Sequence, residues 1–183
     1  MRLLLVRHPQ PLIEPGICYG SSDLPVSAEQ LAQTATALAA TLPTSTILYT
    51  SPLQRCAQLA QELAERLALA QPVADARLAE IHFGLWELQR WDDISRAEID
   101  AWAADLVHYR PGGGESVLHM AQRVHSFYHE WYARKQEAIV ICHAGTIRLL
   151  QACHSGLAPA AMAQEAAQRP HNIDHGSTLL LKA

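Results

Sequence analysis

The chain has 183 residues, 49% of them hydrophobic, and a formal net charge of -4. That length and apolar content predict a single domain over 1–183 with a well-filled core. The acidic balance without a basic run excludes a nucleic-acid surface. The apolar run at the start ends at Val6, too early for a signal-peptide core or a membrane span, so no nucleic acid or membrane partner and a cytoplasmic location are expected.

The first predicted element is a strand, Leu3-Leu4-Leu5-Val6, an unbroken apolar run of the kind buried on both faces of a parallel sheet, and it ends in Arg7-His8. A proline-bearing loop from Pro9 to Pro25 follows. Ser27 and Gln30 then open a helix through Leu31, Ala35, Leu38 and Leu42. A second strand, Ile47-Leu48-Tyr49-Thr50, runs into Ser51-Pro52-Leu53-Gln54-Arg55. Here Ser51 reads as the N-cap, Pro52 as the first helical residue and Gln54 as the partner in a capping box, with Cys56, Leu59, Leu63 and Leu67 facing inward. Pro72-Val73-Ala74 reads as a short strand. Arg77 to Glu87 has no clean period and reads as a loop or short helix over the sheet mouth. Gly112-Gly113-Gly114 breaks the chain before a long helix starting at Glu115, with Val117, Ala121, Val124, Tyr128 and Trp131 inward. Ala138-Ile139-Val140-Ile141-Cys142 is a strand closed by His143. A helix at Thr146, an alanine-rich helix near Ala160 and a final strand Thr178–Leu181 complete the series. Such alternation predicts an α/β fold, a three-layer α/β/α sandwich with a mostly parallel central sheet.

Open parallel sheets bind ligands outside the carboxyl ends of their strands, so Arg7, His8, Arg55 and His143 are expected around one pocket. Arg55 in a first helical turn opposes the helix dipole unless an anion lies in front, and a phosphate would remove the conflict. Two arginines and two histidines there suit phosphoryl transfer, in which the arginines neutralise the equatorial oxygens and a neutral imidazole serves as nucleophile. The departing alkoxide needs a proton. Glu80, among Leu78, Ile81 and Phe83, is the candidate acid, with Asp23, Glu87 and Glu115 as rivals; Glu115 is equally explained as a helix-dipole partner.

Cys18, Cys56, Cys142 and Cys153 have no disulfide-framework spacing and read as reduced core thiols. Cys142 and Arg148 have the C-x5-R spacing of cysteine-dependent phosphatases, but Cys142 lies inside a strand and points away from the face that His143 presents. His125/His129 and His171/His175 are spaced as helical neighbours; the first pair reads as a solvated helix flank, and no metal or other cofactor is expected.

Five motifs carry a wider likeness: Arg7-His8 after a strand, Ser51-Pro52-Leu53-Gln54-Arg55-Cys56 after another, Glu80 in L-x-E-x-x-F-G-x-W-E, Gly114-Glu115-Ser116, and Cys142-His143-Ala144-Gly145-Thr146-Ile147-Arg148. Together, and in this order, they resemble the histidine phosphatase superfamily, also called phosphoglycerate-mutase-like. The resemblance implies a phosphohistidine at His8, phosphate binding by Arg7, Arg55 and His143, Glu80 as general acid and no metal. Ala144 stands where a glycine is usual and retains its N–H for the phosphate. Pro9 and Pro11 replace the usual glycine and hydroxyl residue after R-H, so one backbone donor near the pocket is missing. The short interval between Glu80 and Glu115, compared with the insertion of the glycolytic mutases, favours an open pocket and water as acceptor. With Tyr19-Gly20 and the late Gly176-Ser177, the compact form looks most like α-ribazole phosphatases. Tyr19, Gly20 and Trp86 are candidate substrate-pocket residues, and Trp86, Trp91 and Trp102 offer a flat wall for an aromatic group, although core packing is the commoner use of tryptophan. The expected activity is metal-independent hydrolysis of a small-molecule phosphomonoester, with α-ribazole 5'-phosphate as the candidate. The alternatives are a domain that binds phosphorylated ligands without turnover and a cysteine-dependent phosphatase.

Overall fold

The computed structural model describes residues 1–168 and 172–182. Among these, five strands form one sheet: β1 Arg2–Arg7, β2 Ile47–Thr50, β3 Val73–Ala74, β4 Ala138–Cys142 and β5 Thr178–Lys182, in the order β3-β2-β4-β1-β5. The pairs β1/β4, β4/β2 and β2/β3 are parallel and only β5 is antiparallel to β1. The helices are α1 Ala28–Ala39, α2 Gln54–Arg66, α3 Arg96–Ala104, α4 Val117–Ala133, α5 Ala144–His154 and α6 Pro159–Gln168. No helix among the described residues is long and apolar enough to cross a membrane.

The central strands are apolar along their whole length because both faces are covered. Leu3, Leu5, Val140 and Cys142 pack with Met120, Phe127 and Trp131 of α4 and Ile147 of α5; Val6, Ile139 and Ile141 pack with Leu38 of α1 and Leu59 and Leu63 of α2. Each such fully buried aliphatic side chain contributes roughly 1.5–3 kcal/mol. This is the sandwich that the alternating pattern predicts.

Two helix starts differ from expectation. Helix α2 begins at Gln54, two residues later than expected; Ser51 Oγ still accepts from the Leu53 N–H at 3.3 Å, and Asp23, from the long loop, accepts from the Gln54 backbone N–H at 2.6 Å. A donor and acceptor 31 residues apart leave no mark in a local capping pattern. Helix α4 begins at Val117 under Ser116, whose hydroxyl accepts from His119 N–H at 3.2 Å, so Glu115 lies before the helix and its role as a dipole partner is lost. The segment between Glu80 and Glu115 also holds α3, which has no buried residue and too narrow an apolar edge to read. Phe83, Trp86, Trp91, Trp102 and Tyr109 gather there with Cys18 and Ile94 into a third, aromatic cluster. Gly112, at φ +56, lets this segment close on its neighbour: a Cβ at that position would stand 2.4 Å from the Phe83 carbonyl.

Candidate active site

The sheet register builds the centre of the site. Arg7 pairs with Cys142 across β1 and β4, so the next residues, His8 and His143, emerge side by side from adjacent strands, and their rings meet edge-on with centroids 4.9 Å apart. Strand β2 lies on the other side of β4, with Thr50 opposite Ile141. Ser51 therefore follows at the same level, and its hydroxyl lies 2.8 Å from His143 Nε2. In the first turn of α2, Arg55 is fully buried and its two terminal nitrogens donate to the carbonyls of Gly20 and Ser22, each at 2.6 Å. Arg7 donates to the Ile173 carbonyl.

These arginines carry the strongest signal in the molecule. Among the described residues neither forms an ion pair, and the Nε of each is buried without a hydrogen-bond partner. Two guanidinium groups at one pocket without an ion-pair partner are costly to leave unneutralised and favour an anion there. Both imidazoles beside them are held well below their usual pKa, first by burial and then by neighbouring charge: Arg55 in the case of His8, His8 and Arg55 in the case of His143. They are neutral at pH 7. His8 Nδ1 sits 2.6 Å from the Pro9 carbonyl. A carbonyl only accepts, so Nδ1 carries the proton and Nε2 keeps a free lone pair.

Glu80 lies in the same pocket as Arg7, His8 and Arg55. Burial pushes its carboxyl above the usual range despite N–H donors from Ile81 and Gly145, each 3.0 Å away. Gly145 leaves room for the Glu80 carboxyl in this position, because a Cβ there would stand 2.4 Å from a Glu80 oxygen and push it aside. Arg123 holds the peptide that carries Glu80, donating to the carbonyls of Arg77, Ala79 and Glu80 while Glu115 accepts from it at 2.7 and 2.8 Å.

The rival acids all have other duties. Asp23 caps α2, and Glu115 is paired with Arg123. Glu87 accepts from the backbone N–H groups of Gly20, Ser21, Ser22 and Phe83. Burial alone would raise its pKa, but the Ser22 hydroxyl and these N–H groups prevail and hold it below the usual carboxylate range. Glu87 thus folds the 20–22 loop whose carbonyls grip Arg55.

Of the candidate substrate-pocket residues, Tyr19 lines the pocket under the Arg55 guanidinium, 5.8 Å from its ring centre. Gly20 contributes its carbonyl to Arg55, and a Cβ there would collide with the Ile81 carbonyl at 2.0 Å. Trp86 does not reach the pocket. It is 2% exposed, packs behind the wall on Cys18 and Ile94, and donates its ring N–H to Glu98. The wall is made by Trp91 and Trp102, whose rings lie 7° from parallel, with Phe83 edge-on to both. The short segment after Glu80 thus supplies one side of the pocket through two of the three tryptophans expected to form a wall. The cavity of about 480 Å³ also takes in Ile17, Leu106, Ala144, Arg148 and Leu149, a size usual for a metabolite-sized ligand.

Sequence reasoning missed His175, whose ring centroid lies 5.3 Å from that of His8; its intended partner His171 lies outside the described residues. Ser51, read as a cap, accepts from the Leu53 N–H and also meets His143. Cys142 is buried in the core shared with α4 and α5, with its thiol pushed well above the usual range by burial, which removes the thiolate reading. The thiol near His143 is Cys56, 3.6 Å from Nε2, and burial raises it too.

The model of the histidine phosphatase superfamily (branch 1) matches residues 3–173. The adenosylcobalamin/alpha-ribazole phosphatase of Salmonella typhimurium is 27% identical over 165 residues, 82% of this chain and 77% of its own length. Among solved structures, the alpha-ribazole phosphatase of Shigella flexneri superposes with a TM-score of 0.83 at 26% identity, covering 100% of this chain and 90% of its own. The mycobacterial glucosyl-3-phosphoglycerate phosphatase in complex with VO3 gives a TM-score of 0.80 at 25% identity, over 99% of this chain and 92% of its own.

Proposed function

Because this chain belongs to the histidine phosphatase superfamily and is a phosphatase, we propose that it hydrolyses a small phosphomonoester through a phosphohistidine at His8. The observation that carries this reading is the pair of buried, unpartnered Nε atoms of Arg7 and Arg55 beside two neutral imidazoles. Arg7, Arg55 and His143 hold the phosphoryl oxygens, with Ala144 at the same wall of the pocket. The lone pair of His8 Nε2 attacks phosphorus while Nδ1–H stays on the Pro9 carbonyl. As the N–P bond forms and the P–O bond breaks, Glu80 gives its proton to the departing alkoxide. The Glu80 carboxylate then takes a proton from water, the oxygen attacks phosphorus, and phosphate leaves with His8 restored. The Pro9 carbonyl works without the missing N–H of that residue.

The substrate reading rests on the pocket wall. Trp91, Trp102, Phe83, Ile17 and Leu106 form an apolar, partly aromatic surface outside the phosphate end, which suits a flat aromatic base better than a short polyanionic acid. An α-ribazole 5'-phosphate fits this description, and two of the similar proteins bear that substrate's name. A metal-free assay against a panel of phosphomonoesters tests it: kcat/KM should be highest for α-ribazole 5'-phosphate and fall for glucosyl-3-phosphoglycerate. Preference for the phosphoglycerate ester would reverse the substrate assignment, and binding without turnover of any ester would make the chain a phospho-ligand receptor.

A further inference from the structure

Away from the sheet mouth, where α4 packs on α5, three side chains with soft ligand atoms converge. His125 and His129 stand one turn apart on α4, with ring centroids 4.1 Å apart. Cys153, in the last turn of α5, completes the group: one ligand atom from each residue lies within 4.8 Å of the others. A tetrahedral shell with metal–nitrogen bonds of about 2.0 Å and a metal–sulfur bond of about 2.3 Å places ligand atoms about 3.3–3.5 Å apart, so these would draw together by up to about 1.5 Å through side-chain rotation. The thiol is at the bottom, 4% exposed, and His129 is at the surface.

The surroundings match this use. Among the described residues, no hydrogen bond engages either imidazole or the thiol. The neighbouring polar groups are already satisfied by each other, Tyr128 hydroxyl lying 2.8 Å from His154 Nδ1. A helix-flank histidine pair in water would be unremarked; a thiol delivered by a second helix turns it into a donor set. Two imidazoles and a sulfur suit zinc or a similar ion and do not suit calcium or magnesium, which take oxygen.

We propose that His125, His129 and Cys153 form a binding site for a borderline-soft divalent transition metal of the zinc class, with water as fourth ligand, and that the ion fastens α5 to α4. On binding, the sulfur–hydrogen bond is exchanged for a sulfur–metal bond and the proton leaves to solvent, with no change of oxidation state. Burial holds the Cys153 thiol up at about 11, so the ion must displace that proton rather than meet a ready thiolate. The site is about 14 Å along α5 from Ala144, at 1.5 Å per residue, so the ion takes no part in phosphoryl transfer.

Titration of untagged, chelator-treated protein with zinc, followed by calorimetry and thermal melting, tests the proposal. One ion should bind per chain and raise the Tm, as a ligand specific to the folded state does. Cobalt(II) should give a near-ultraviolet thiolate charge-transfer band that Cys153→Ser abolishes. His129→Ala, at an exposed position where folding is not at stake, should weaken zinc at least ~10–100-fold, the loss that even an outer-shell partner can cause. Metal-free turnover in His129→Ala should match the parent. Absence of stoichiometric binding, a cobalt complex without the charge-transfer band, or zinc affinity unchanged in both His129→Ala and His125→Ala would each overturn it.

Discussion

Two pairs of histidines sit at comparable ring separations in this molecule, 4.9 Å for His8 and His143 and 4.1 Å for His125 and His129, and their surroundings assign them opposite partners. The first pair comes from strand register and is buried with Arg7, Arg55 and the Glu80 carboxyl. The second comes from helical spacing and opens to water above a thiol. An imidazole pair is indifferent to the sign of its ligand. Guanidinium groups without an ion-pair partner among the described residues make the first an anion site, and a thiol that itself makes no hydrogen bond among them makes the second a cation site.

Removing one histidine from each pair separates the two sites most strongly. His8→Ala should lower kcat by on the order of 10⁴-fold or more, because a missing nucleophile is not replaced by the rest of the site, whereas His125→Ala should leave steady-state kinetics unaltered. Next in size is Glu80→Gln. Loss of the proton donor should cost roughly 10²–10⁴-fold on an ester with a poor alkoxide leaving group and far less on a nitrophenyl ester; an equal loss on both would make Glu80 a structural residue. Arg55→Lys comes third. Each charged hydrogen bond is worth about 1.5–3 kcal/mol, so inhibition by inorganic phosphate should weaken some 10- to 100-fold, since one ammonium does not reproduce the guanidinium fork. Phosphate binding like the parent's would remove Arg55 from the clamp.

The smallest expected effect is on stability against pH. His8 and His143 are neutral in the folded chain with pKa values well below the unfolded value, which is about 6.5. The unfolded state therefore binds more protons as pH falls. Their contribution is complete above about pH 6.5 and is lost as pH drops from there toward the folded values. Melting temperature measured between pH 7.5 and 5 should fall on the acid side, with a shallower slope in His143→Gln. The same slope in both proteins would mean that other groups govern acid stability.

Much of this site was legible because each of its strands is an apolar run that stops at a polar residue. Arg7-His8, Ser51 to Arg55 and His143 are strand-end positions, and a parallel sheet must place such ends together. Glu80 could be singled out by its apolar neighbours. Contacts made across long chain separations were not legible: Asp23 capping α2, Glu87 gathering the 20–22 loop, Cys153 arriving beside His125 and His129. The tryptophans show the same limit. Trp86 and Trp91 lie five residues apart in one segment without a period, and only the folded cluster decides that the first is packing and the second faces the cavity. Helix α3 packs only Ile99 and Trp102 on the aromatic cluster, both partly buried, too narrow an apolar edge to read.

In the proposed mechanism the phosphoryl group passes to His8 nitrogen and not to sulfur. Rapid acid and base quenching during turnover of a phosphorus-labelled ester, followed by mapping of the labelled peptide, tests it most directly. A label on the peptide containing His8 that is stable in base, labile in acid, absent from His8→Ala and unchanged in Cys142→Ser is the predicted result. A label that persists in His8→Ala, or that disappears in Cys142→Ser, would contradict it.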